Sequence, residues 1–305
     1  MSRFSSFIQK QGTHLLANKR YAMLCALLLA IAPFTAWLSL FVVALVVLTK
    51  GWREGTLFLM PVATLHFALS LVSFTVSGAI VNTLLTFLPC YLAACTLYLT
   101  TSWRAVASVF FLQVLLVVVL LQIFLPEFIM AQYMYIQASI REAQPDGVLL
   151  GIMRDSSGFK QIIAANYLLG IQTVTVVFSA TLSLMLARSV QAQLYYPGGF
   201  KKEALAFRGN KIEFFLLVAI FVAAMQYSIV AINILPILMF YSVLAGLSLC
   251  ANALARKKTR GVFFLLVTPL VLLPFIAAPV YIIVGALDSL FNFRLYVPSD
   301  ADKTT

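Results

Sequence analysis

Long apolar runs interrupted by short charged stretches constrain this chain more than any other feature. Read between charges, they lie at roughly 21–49, 55–77, 79–99, 105–125, 162–189, 212–232, 234–254 and 261–287. A hydrocarbon core of ~30 Å is crossed by about 20 helical residues. Lipid offers no partner for unpaired backbone groups, so such runs cross as helices. The chain therefore predicts an all-α, polytopic transmembrane helical bundle. Composition agrees, with 62% apolar and 10% charged residues, against roughly 45–50% and about 25% in soluble domains. A soluble enzyme, a disordered chain, a disulfide scaffold and a coiled coil are excluded. Cys25, Cys90, Cys95 and Cys250 all fall inside apolar runs and read as small hydrophobes.

Charge sets the orientation. The 29-residue run 21–49 carries Pro33 near its middle and is either one kinked helix, giving eight spans, or a hairpin of two, giving nine. With a hairpin, the N-terminal side holds 16 of the 21 basic residues and only Glu54, Glu203 and Glu213 among the acids, a net +13 against −2 opposite. The positive-inside rule then favours about nine spans, with the N-terminus in the cytoplasm and the C-terminus outside. The expected organisation is a basic cytoplasmic segment 1–20 and a first bundle 21–189 containing an outer segment 126–161. A cytoplasmic interfacial segment 190–211, C-terminal spans 212–287 and an outer tail 288–305 follow. Residues 1–32 superficially fit a cleaved signal peptide, but the apolar run continues past Pro33, so a retained first span is expected. Segment 126–161 predicts a helix over 127–144 followed by turns, either lying on the membrane surface or covering an outward cavity.

Motifs of chemistry are missing. The sequence has no GxxxxGK[ST] or GxGxxG phosphate loop, no HExxH, no GxSxG and only two histidines, His14 and His66. No enzyme activity, metal or cofactor is expected. The basic surplus reads as topology, so no nucleic-acid partner is expected either. Glu213 and Asp288 lie at span ends and only His66 falls within a span, which argues against a self-powered pump built on a buried carboxylate.

Uncharged polar residues recur at helical spacing: Gln172, Ser179 and Ser183; Gln226 and Asn233; Tyr241, Ser248 and Asn252; Asn82 and Thr86. Such stripes face protein or a cavity, because an unsatisfied polar group in lipid costs several kcal/mol. They serve either interhelical hydrogen bonds or a site for a small neutral or zwitterionic ligand. His66, Asn166, Gln172 and Gln226 are the candidate ligand contacts. Small residues repeat at Ala22, Ala26 and Ala30, and at Ser242, Gly246 and Cys250, allowing close approach of a neighbouring helix or a partner subunit.

The most specific segment runs from Arg188 to Arg208. Pro197-Gly198-Gly199 forces a turn. After it, Phe200, Ala204 and Phe207 share a helical face, with Lys201, Lys202, Glu203 and Arg208 largely elsewhere. That pattern suits an interfacial helix, or a dock for a cytoplasmic partner. The segment resembles the signature of the YybS-like family of bacterial membrane proteins, Arg-Trp-Trp-Gln-x-x-Leu-x-Asn-Pro-Gly-Gly-Phe-x-x-Glu-Phe-x-x-Leu-Arg. Arg188, Gln191, Leu194, Pro197, Gly198, Gly199, Phe200, Glu203 and Arg208 match it. Ser189 and Val190 replace the tryptophan pair, and Tyr196, Ala204 and Phe207 replace Asn, Phe and Leu. That family is distantly similar to the substrate-binding S components of energy-coupling-factor transporters. Those proteins contact a membrane subunit through an alanine stripe on the first span, where Ala22, Ala26 and Ala30 stand here.

The resemblance and the residue pattern together imply a multi-pass protein of the bacterial cytoplasmic (inner) membrane. The leading expectation is a non-catalytic, transport-type component that binds a small or hydrophobic ligand, with any energy supplied by a partner. The alternative is a membrane scaffold or regulatory protein recruiting a cytoplasmic partner or anionic lipid through 188–208.

Overall fold

Residues 11–31, 35–72, 75–143, 158–255 and 261–295 are described in a computed structural model of the chain. Among them all regular structure is helical. In chain order the helices are α1 (Gln11–Ala17), α2 (Lys19–Ile31), α3 (Ala36–Lys50), α4 (Trp52–Ser70), α5 (Val76–Thr100), α6 (Trp103–Phe124) and α7 (Pro126–Ala143). They continue with α8 (Phe159–Tyr195), α9 (Gly199–Ala206), α10 (Lys211–Met225), α11 (Ile229–Ala255), α12 (Val262–Leu272) and α13 (Pro274–Phe291), and a 3₁₀ turn follows at Phe293–Leu295. The all-α expectation holds. Five helices, α5, α6, α8, α11 and α13, are long and apolar enough to cross a membrane, and a bent α1–α2 pair could make a sixth.

The chain forms two compact units, Met1–Phe110 with Thr175–Ala206, and Phe111–Val174 with Phe207–Thr305. This division cuts across the boundary expected near residue 189. Helices α6 and α8 each contribute to both units.

In the first unit the run 21–49 is two helices folded back on each other, as the hairpin reading expects. Thr35 Oγ1 donates to the Leu29 carbonyl at 2.7 Å, Ser39 Oγ to the Ala26 carbonyl at 2.9 Å, and Lys50 Nζ to the Leu16 carbonyl at 2.6 Å. Pro33 lies outside the described residues. Asn18 caps α2 by accepting from the amides of Arg20 (3.1 Å) and Tyr21 (3.3 Å), where the chain bends by 110°. Ala22, Ala26 and Ala30 are all buried, at 2%, 0% and 3% exposure, on a helix that packs against α3 and α4. The alanine stripe, for which both a neighbouring helix and a partner subunit are expected alternatives, is covered by the chain's own helices. Small side chains let backbones approach until a hydroxyl can reach a carbonyl across the seam, which larger residues at Ala26 would prevent.

The second unit departs from expectation at 261–287, expected as one span. The helix stops at Leu273 (φ −132°, ψ 60°) because the following Pro274 disfavours helical backbone before it and suits the first turn of a new helix. The chain folds back there, since Tyr281 Oη donates to the Leu266 carbonyl at 2.9 Å, fifteen residues away. Helix α12, with 11 residues, is ~16 Å long, short of a ~30 Å core. This overturns the placement of Asp288 and Arg294 on the side opposite Arg208. Arg294 Nη2 donates to the Phe207 carbonyl at 2.6 Å, and Arg208 Nη2 to the Ser289 carbonyl at 3.4 Å. Residues 288–295 thus stand at the same end of the unit as 207–209; the rest of the expected outer tail lies outside the described residues.

Helices α11 and α13 touch backbone to backbone. A Cβ on Gly246 would run into the Tyr281 carbonyl, and one on Gly285 into the Ser242 carbonyl. The Ser242–Gly246 stripe is thus used inside the fold. In segment 126–161, α7 buries Ile129 and Tyr133 against Ala165 and Leu169 of α8; residues 144–157 lie outside the described set.

Two outcomes are expected. Gly246→Val or Gly285→Val costs about 1–3 kcal/mol each through overpacking, read as a lower midpoint of thermal unfolding in detergent. In a cysteine-free background, Asn210→Cys and Leu295→Cys, both at exposed positions, react with an impermeant maleimide from the same side of sealed vesicles.

Candidate functional site

The stretch Arg188–Glu203 folds into one polar network in the first unit. Helix α8 runs 37 residues, about 55 Å, which is longer than a ~30 Å core, and its C-terminal turns carry Arg188 and Gln191. Gly198 turns the chain with φ +87°, a conformation that disfavours any side chain. This brings α9 back beside α8. Arg188 Nη2 and Nε then donate to the two oxygens of Glu203 at 2.5 and 3.0 Å, the paired geometry at which guanidinium and carboxylate bind most strongly. Arg188 Nη1 donates to Gln191 Oε1 at 2.6 Å, and Gln191 Nε2 passes the chain on to the Leu48 carbonyl at 2.6 Å. Trp103 Nε1 donates to Glu203 Oε2 at 3.0 Å, and its ring meets Phe200 edge-on at 6.4 Å. Four elements, α3, α6, α8 and α9, are tied by these side chains.

Burial pushes the Glu203 carboxyl up, but hydrogen bonds from Arg188 and Trp103 and the Arg188 charge outweigh it, leaving it below the ordinary glutamate range. Arg188, Gln191, Phe200 and Glu203 are thus occupied internally, whereas Lys201 and Lys202 are exposed. Arg208 belongs to the second unit. Trp103 was missed by the sequence reading, although a tryptophan beside Arg104 at the start of an apolar run is the signal of an interface-level residue.

The proposed ligand residues fall at different places. In the first unit His66 Nδ1 meets Thr83 Oγ1 at 3.3 Å and Ser70 Oγ at 3.5 Å, Asn82 Nδ2 donates to that Ser70 at 3.1 Å, and the imidazole stands edge-on to Phe87. This ties α4 to α5. In the second unit Asn166 Oδ1 accepts from Gln122 Nε2 at 2.5 Å and from Asn233 Nδ2 at 2.7 Å. The cluster joins α6, α8 and α11; Asn166 is 3% exposed and Asn233 0%. Asn233 Oδ1 has no partner among the described residues, nor has the buried Tyr133 hydroxyl. Gln172 is half-buried with no hydrogen bond among the described residues, and Gln226 is exposed just past the end of α10. Gln122 and Asn233 were not among the candidates, because their partnership with Asn166 spans 44 and 67 residues.

A second ionic cluster in the second unit was also missed. Asp288, fully buried, accepts from Arg294 Nε at 3.0 Å, and Arg294 Nη2 also reaches Ser248 Oγ at 3.2 Å. Among the described residues, no group of three or more His, Cys, Asp or Glu could hold a metal.

Glu203 has a lowered folded-state pKa, so its contribution to stability is present above the unfolded glutamate value of about 4.3 and is lost as pH falls through the lower folded value. In a chain whose only tryptophan is Trp103 (Trp37→Phe, Trp52→Phe), fluorescence should report release of α9 in that acid window. Glu203→Gln should lower stability by about 1.5–3 kcal/mol at neutral pH and abolish the acid transition.

Comparisons with protein-family models, characterised proteins and solved structures return no match.

Proposed function

We propose that this chain is a non-catalytic, transport-type component of the bacterial cytoplasmic membrane that binds a small ligand, with a partner subunit supplying any energy. The observation supporting it is the amide cluster of Gln122, Asn166 and Asn233, which keeps the Asn233 Oδ1 acceptor unpartnered inside the unit. A buried unpaired amide oxygen costs about 1–3 kcal/mol, a cost that a hydrogen-bond donor on a ligand removes. Such a site suits a neutral or zwitterionic molecule carrying an N–H or O–H group. The YybS-like resemblance of 188–208 and the scarcity of ionisable groups in the apolar runs support the same reading.

The N-terminus is assigned to the cytoplasm, and the folding back at Leu273 leads us to assign residues 288–295 to that side as well. Residues 288–305 together carry two basic and three acidic groups, so assigning them to the N-terminal side gives +12 against −1 and keeps the same orientation.

Native mass spectrometry of the purified chain tests this. A retained small molecule is expected, and Asn233→Leu, which replaces the amide with an apolar side chain of similar size, should lose it while the protein stays folded. A wild-type chain that carries no small molecule, or a variant that retains it equally well, refutes the ligand-binding reading.

A further inference from the structure

Segment 195–203 leaves an uncompensated cationic surface. Its one carboxylate, Glu203, is engaged by Arg188 and Trp103. Lys201 and Lys202, immediately before it, are exposed, and their ammonium groups make no hydrogen bond or ion pair among the described residues. Two exposed tyrosines precede the Gly198 turn, Tyr195 at 57% and Tyr196 at 70% exposure. Phe200, between the tyrosines and the lysines, is held against Trp103 rather than presented outward. The network therefore fixes which side chains face out: two amphipathic aromatics and two ammonium groups. A tyrosine suits the level where acyl chains meet headgroups, and a lysine beside it reaches phosphate oxygens while its stem stays among apolar groups.

We propose that Tyr195, Tyr196, Lys201 and Lys202 form a binding surface for anionic phospholipid headgroups, with the Arg188–Glu203 pair as its positioning device. Charge complementarity selects the occupant. The two lysines attract a phosphate-bearing lipid of net negative charge and gain little from a zwitterionic one, whose own cation offsets its phosphate. The tyrosines favour a lipid over free phosphate, because their rings need an apolar neighbour. Arg188 and Glu203 act by holding α9, so Glu203→Gln should weaken lipid binding without removing a single contact to the headgroup. This inference stands without the transport reading.

The test uses the full-length protein in detergent, titrated with phosphatidylglycerol or phosphatidylcholine, with bound lipid counted by native mass spectrometry. Each lysine near an anionic surface contributes about 1 kcal/mol, so Lys201→Gln/Lys202→Gln should bind phosphatidylglycerol about thirtyfold more weakly. Phosphatidylcholine binding should not change. Lys201→Arg/Lys202→Arg should restore the affinity, which separates lost charge from lost folding, and each single Gln variant should lose about fivefold. Equal phosphatidylglycerol binding by wild type and the double Gln variant overturns the proposal. Displacement of the lipid by equimolar inorganic phosphate overturns it in favour of a soluble anion. Release of a co-purifying cytoplasmic protein by the double variant, with lipid binding unchanged, overturns it in favour of a protein dock.

Discussion

Lipid cannot hydrogen-bond, and the rest of this structure follows from that constraint. A polar group inside an apolar run must find its partner within the protein or pay several kcal/mol. Many hydroxyls solve this locally: Thr86, Thr96 and Thr268 each donate to the carbonyl four residues earlier. The residues that solve it at long range set the helix contacts. Ser39 reaches Ala26, Ser183 reaches the Trp37 carbonyl at 2.7 Å, and Asn166 gathers Gln122 and Asn233. Between apolar surfaces that slide past one another at little cost, such bonds specify one register.

Close packing does the remaining work. Ala26 is fully buried in the first unit, and Gly246 and Gly285 bring backbones together in the second. Dispersion across these seams replaces the hydrophobic drive that holds helices together in water. The two small-residue stripes are therefore consumed by the fold, and surfaces for other molecules must be sought elsewhere. Exposed leucines, valines and phenylalanines along α5, α6 and α10 suit contact with acyl chains.

The signature segment is the place where architecture and chemistry meet. Its glycine turn, its arginine and its glutamate hold one short helix against α8 and α6, and the charge left over lies on Lys201 and Lys202. The motif thus divides into residues that build a platform and residues that the platform displays. Glu203 belongs to the first kind. Without its two donors it would be a half-buried charge opposing its own burial.

By itself the sequence determined that the chain is helical and apolar, which of its residues are polar enough to need a partner in lipid, and that Arg188 to Arg208 turns sharply at Gly198. Hydropathy, turn chemistry and helical spacing are local properties, so they are legible along one dimension. Charge balance favoured the two-helix alternative for 21–49, and two helices stand there. Only the tertiary structure decided that Leu273 reverses the chain and sets Arg294 beside Phe207, that Asn166 pairs with Gln122 and Asn233, and that Trp103 completes the Glu203 network. Those contacts join residues 44 to 100 positions apart. A donor's need for an acceptor is written in the sequence, but which acceptor comes within about 3 Å is settled by packing, and packing has no linear signature.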